Sequence, residues 1–134
     1  VVMHNKEDTV YTDLMQQVVD FLRKSVEIAI NAGIEPDHIA VDPGIGFGKT
    51  FEHNLEVMRN LEALKDLKLP ILLGTSRKSF IGKILDLPVT ERVEGTAATV
   101  ALGIAKGIDI VRVHDVLEMK RVAKVTDAII RGMD

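Results

Sequence analysis

Four short runs of aliphatic and β-branched residues alternate along this chain with longer stretches in which apolar residues recur every three or four positions. Residues 1–4, 39–42, 71–73 and 109–113 read as strands. The spacing predicts a helix over 13–32, where Leu14, Val18, Phe21, Leu22 and Ala29 share a face and Gly33 is the stop. A second helix is predicted over 51–66, carrying Leu55, Met58, Leu61 and Leu64. A long connection through Pro88 then leads to a helix over 91–106, with Thr90 as N-cap and Gly107 as stop. Asp115 is placed to cap the last helix, with Glu118 three residues on as in a capping box, and Gly132 ends it.

This regular βα cadence implies a parallel sheet with right-handed crossovers. Such a pattern suits a small open sheet or half of an eight-stranded barrel, and the polar residues say where its chemistry lies. His4, Asp42, the cluster from Thr75 to Lys78, and Arg112 with His114 all fall at the C-terminal ends of predicted strands. Both architectures place their sites there. On the last strand, alternation puts Ile110, Arg112 and His114 on one face and Val111 and Val113 on the other.

Composition removes several classes of function. At 134 residues the length suits one domain, and 28% charged residues with a net charge of −3 argue against disorder and against a basic nucleic-acid face. The absence of Cys excludes disulfides, thiolate metal sites and a Cys nucleophile. It suits a reducing cytoplasm, the expected location. No apolar run approaches the roughly 20 residues that span a bilayer, so no membrane partner is expected. The chain opens on Val1-Val2-Met3 inside a predicted strand, so it is expected to be a piece of a larger protein.

Three segments carry candidate chemistry. Asp42-Pro43-Gly44-Ile45-Gly46-Phe47-Gly48-Lys49-Thr50 fails as a P-loop because Pro43 stands where the first Gly is needed. It fails as a dinucleotide fingerprint because position 49 is Lys. What remains is a strand-end carboxylate followed by a mobile loop with an exposed aromatic and a Lys. Asp42 can accept paired N–H donors from a flat, amidine-like heterocycle, or it can merely cap its own turn. In Thr75-Ser76-Arg77-Lys78-Ser79-Phe80, flanked by Gly74 and Gly82, the cations can hold an anion or polarise a ring carbonyl, and the hydroxyls can bind a carboxylate. The alternative is a solvated basic turn. Arg112-Val113-His114-Asp115 offers a guanidinium and an imidazole on one strand face, which suits a phosphate or diphosphate. The alternative is a salt-bridged Arg and a His satisfied by backbone. His4, His38 and His53 lack metal-ligand spacing.

Taken in order, VDPGIGFGKT at 41–50, LLGTSRKSFIG at 72–82, ERVEGTAATVALGIAKG at 91–107 and IVRVHDV at 110–116 resemble the dihydropteroate synthases, folate-pathway transferases that are the sulfonamide drug target. The likeness is greatest to the bacterial, single-function form, and the opening VVMHNK resembles the family's fifth barrel strand. The resemblance implies an α/β fold of the (β/α)8 TIM barrel type. Residues 1–134 would form the C-terminal half of a pterin-binding barrel domain, strands five to eight with their helices. It implies condensation of 6-hydroxymethyl-7,8-dihydropterin diphosphate with p-aminobenzoate to 7,8-dihydropteroate and pyrophosphate.

Carried over residue by residue, the resemblance gives Asp42 the pterin's amino-pyrimidine edge and Lys78 the pterin ring. Arg112 would lie against the pterin and, with His114, grip the leaving diphosphate. Lys78, Arg112 and His114 would thus be the catalytic residues. Phe47 and Ser79 would line the p-aminobenzoate site with Arg77 and Lys49 nearby, and Gly74 would line the substrate site. The family's magnesium-binding residue and flexible substrate loops belong to a first half with no counterpart here. No metal ligand is therefore expected in this half, Mg2+ is expected to be held by the missing N-terminal half-barrel, and this half alone is expected to be inactive. Family homodimers built through C-terminal helices imply a homodimer. The competing expectations are a pterin-binding methyltransferase module and a non-catalytic half-barrel fragment.

Overall fold

The computed structural model describes residues 1–133. Asp13 stays in the extended region and accepts the Gln16 amide on its side chain at 3.1 Å, which starts helix α1 (Leu14–Asn31) as the spacing predicts. Its buried stripe of Leu14, Val18, Val19 and Leu22 faces the sheet, whereas Phe21 turns its ring edge toward His4 at 4.9 Å. The strands are short: β1 (Val2–Met3), β2 (Val41–Asp42), β3 (Leu72–Leu73) and β4 (Ile110–Val111).

Pairing is parallel throughout. Val2 and Met3 face Val41 and Asp42, and Leu72 and Leu73 face Ile110 and Val111. A bridge between Val41 and Ile71 joins the two ladders, so the strand order follows the sequence. A doubly wound sheet reverses direction after its first strand. This one runs on in a single direction. Helices α2 (Phe51–Arg59), α3 (Ser79–Leu85), α4 (Val93–Ala105) and α5 (Val116–Ile130) complete the mixed α/β fold. The core lies between helices and sheet, with Val18, Leu22, Val41, Val57, Leu61 and Leu64 fully buried. Helix α4 sits close on β3 because Gly103 leaves no side chain; a Cβ there would lie 2.7 Å from Leu73 Cδ2.

The structure differs from the periodicity at four places. The helix expected over 51–66 breaks at Asn60, whose side-chain amide donates back to the Glu56 carbonyl, and continues as a 3-10 helix (Leu61–Leu67) that still buries Leu61 and Leu64. Helix α3 occupies part of the connection expected before Pro88. Thr90 is not an N-cap but lies within a 3-10 turn (Val89–Glu91), and α4 begins after Arg92. Asp115 precedes α5 without capping it by its side chain, because its carboxylate is taken by Arg77. Among the described residues, no helix is long and apolar enough to cross a membrane.

Candidate active site

Parallel pairing brings the C-terminal ends of all four strands to one edge, and a cavity of about 510 Å3 opens there. Asp42 from β2 and Lys78 from the segment after β3 face it, together with Arg112 and His114 beyond β4. Phe47, Gly74, Ser76, Met3 and Val113 complete the wall. Of the residues expected at a site, Asp42, Phe47, Gly74, Lys78, Arg112 and His114 come together here.

Asp42 does two things. One carboxylate oxygen accepts the Gly44 amide at 2.7 Å, so the residue does cap its own turn, while the residue also lines the cavity. Burial pushes its carboxyl up from the ordinary range, against the Gly44 N–H and the charges of Lys78, Lys49 and Arg112. Lys78 donates to the Ile45 carbonyl and lies over the Phe47 ring, 4.9 Å from its centroid. Burial pushes its ammonium down, with Asp42 acting in the opposite direction.

His114 is held by Ser76. The Ser76 hydroxyl accepts the His114 amide at 3.0 Å and lies 2.7 Å from the ring Nδ1. The hydroxyl that accepts the amide still has its own proton, which it can give to Nδ1, and that pairing would leave the ring proton on Nε2. Ser76, one of the hydroxyls of this segment, orients an imidazole, a pairing that no sequence spacing announces. Arg112 makes no side-chain hydrogen bond or ion pair among the described residues and lies at the cavity wall. Val113, expected on the opposite face, also lines the cavity because strand pairing ends at Val111.

Arg77 and Ser79 lie apart from this cavity. Arg77 adopts φ +56° and makes two bonds to Asp115, at 3.1 and 2.7 Å. Its carbonyl accepts from Arg92 at 2.8 Å, and its amide donates to the Thr96 hydroxyl at 3.1 Å. The guanidinium holds the Asp115 carboxyl below the usual carboxylate range. Ser79 lines a neighbouring cavity of about 240 Å3, with Lys49, Asn54 and Lys83 among its walls.

The loop after β2, expected to be mobile, is tied at several points. The Gly46 amide donates to the Asn54 side chain at 2.8 Å, and the Tyr11 hydroxyl donates to the Gly48 carbonyl at 2.5 Å. Phe47 is exposed as expected, but Lys49 is buried beneath the loop. His4, placed at a strand end, is buried against it.

The donor set does not fit a magnesium ion. No group of three or more His, Asp or Glu side chains stands together among the described residues. The one carboxylate at the cavity is surrounded by the cations of Lys78, Lys49 and Arg112.

A family model described as pterin binding enzyme matches residues 1–114. The dihydropteroate synthase of Clostridium beijerinckii is 57% identical over 96% of this chain and 48% of its own length. That of Bacillus subtilis is 54% identical over 97% of this chain and 46% of its own. The crystal structure of the dihydropteroate synthase from Clostridium difficile, in the presence of pteroic acid, superposes with a TM-score of 0.94 at 55% identity. The match covers 96% of this chain and 49% of that one. The chain thus spans about half the length of the curated relatives it matches.

Proposed function

The chain belongs to the pterin-binding enzyme family, and on that premise we propose that residues 1–134 are the second half of a (β/α)8 barrel acting as a dihydropteroate synthase. The observation that carries this reading is one strand-end carboxylate, Asp42, sharing a cavity with Lys78, Arg112 and His114. A carboxylate in that position meets the amino-pyrimidine edge of a pterin through paired N–H donors. Lys78 holds the ring from the opposite wall. Arg112 and the Nε2–H of His114 take the departing diphosphate.

In the reaction, the carbon–oxygen bond between the pterin's exocyclic methylene and the diphosphate breaks, and pyrophosphate leaves with the electron pair. The p-aminobenzoate nitrogen attacks the resulting pterin cation and gives up one proton. Arg112 and His114 stabilise the negative charge that grows on the leaving oxygens. Phe47 in the larger cavity and Ser79 in the neighbouring one would meet p-aminobenzoate, with the Ser79 hydroxyl toward its carboxylate; Arg77 is committed to Asp115.

Magnesium enters this reading only through the other half of the barrel, since the donors of this chain do not suit it. The strand order supports half a barrel, whose two outer strand edges, on β1 and β4, call for the missing half. Turnover therefore needs both halves. The same reading places the protein in the bacterial cytoplasm, as a sulfonamide target and a homodimer.

Calorimetric titration with a pterin diphosphate analogue tests it. Binding that Asp42→Ala weakens by tenfold or more, about 1.4 kcal/mol, is the expected result. Binding indifferent to Asp42→Ala, or to competing p-aminobenzoate analogues while methyltetrahydrofolate binds, overturns it.

A further inference from the structure

Two lysines hold the loop after β2 from opposite sides. Lys78 reaches it from the cavity and donates to the Ile45 carbonyl. Lys49 lies beneath, with three acceptors around its ammonium: His4 Nδ1 at 2.7 Å, the Gly44 carbonyl at 2.9 Å and the Phe47 carbonyl at 3.0 Å. An ammonium has three N–H donors and no acceptor. Donors and acceptors therefore match one to one, and no hydrogen of Lys49 is left over.

Burial makes the match necessary. Lys49 is 9% exposed and His4 2%, and a charge placed there without partners would be costly. To accept through Nδ1, the His4 ring must be neutral with its proton on Nε2. Burial next to Lys49 and Lys6 provides for this by pushing the imidazole down to about 4. Burial also pushes Lys49 down to about 8, with Asp42 on β2 favouring its charge and Lys78 opposing it. Tyr11 and Phe21 pack against the His4 ring from its other sides.

Only Lys78 of the two lines the larger cavity. A ligand there that engages the Lys78 ammonium would compete with the Ile45 carbonyl for it, whereas Lys49 has no hydrogen left to give. We infer that Lys49 and His4 are a positioning pair that keeps the turn at residues 44–47, and with it the Phe47 ring, in place when Lys78 turns to substrate. Neither residue of the pair lines the larger cavity. Its link to catalysis rests on the pterin reading above; the clamp itself does not.

The chain contains no Trp, so Phe47→Trp places a single fluorophore on the loop of the full chain. In that background, Lys49→Met removes all three donors at similar length, and acrylamide quenching of Trp fluorescence is expected to rise about threefold or more. Lys78→Met should raise it by less than about 1.5-fold, because Lys49 still holds the loop. Equal effects, or a larger one from Lys78→Met, overturn the inference. Should Lys49→Met fail to fold, the ring nitrogen signals of His4 in the unaltered chain decide. A neutral ring protonated on Nε2 at pH 7 supports the pair, and a charged ring or an Nδ1–H form overturns it. Neither measurement contains ligand, so failure here is distinct from failure to bind pterin.

Discussion

The β2 loop and the segments after β3 and β4, which together wall the cavity, are held by opposite kinds of electrostatics. Beneath the β2 loop a buried ammonium meets only neutral acceptors, the His4 ring and two carbonyls. At the β3–β4 rim, Arg77 meets a full opposite charge on Asp115, with both side chains partly in water. The consequences run in opposite directions. Desolvation pushes the charged form of Lys49 down, whereas the rim partners each favour the charged form of the other. A buried charge persists only where every hydrogen is placed, while a rim pair exchanges readily with water and salt. The wall that carries the aromatic is thus built for fixed placement. The wall that carries Arg112 and His114 has beside it an ion pair that water can replace.

Breaking the buried wall should cost most. Gly44 has φ +71°, and a Cβ there would run into the His4 carbonyl. Gly44→Ala is expected to lose about 3 kcal/mol or more in urea denaturation, and a loss below about 1 kcal/mol would remove the claim that this turn is fixed. Acid attacks the same wall. His4 titrates near 4 in the folded chain against 6.5 unperturbed. Between those values the unfolded chain binds a proton that the folded chain refuses. The His4 contribution is therefore full above about pH 6.5 and falls toward pH 4, by at most about 3.4 kcal/mol. His4→Gln should flatten that limb, and an unchanged limb would assign it to another group.

At the rim the effects shrink. Ser76→Ala is expected to cost about 1 kcal/mol and to release the His114 ring, visible as a change in its nitrogen signals; ring signals that stay put would show that Ser76 does not orient it. Asp115→Asn should have the smallest effect of the series, fading further as salt is added. A large, salt-independent loss would erase the contrast between the walls.

Helix α1 was legible because Asp13, the apolar stripe and Gly33 all agree, and the strand ends were legible because polar residues interrupt short apolar runs. Helix α3 was not, because seven residues with Gly82 among them carry too little periodicity. Asp115 misled for a different reason: the cap signal was present, but a left-handed Arg77 in another loop claimed the carboxylate first. Asp42, Lys78, Arg112 and His114 could be placed at one edge from strand phase and the family resemblance. Lys49 could not. The segment around it reads as a mobile glycine-rich loop, and only the fold brings His4 against it.

The bond between Lys49 and His4 joins positions 45 residues apart in the chain. Long-range contacts of this kind form after the chain between them has closed. The loop can therefore be seated only once β1 and β2 have paired, which makes its ordering a late step on the folding route. Damage to the clamp should then accelerate unfolding while leaving the folding rate nearly unchanged.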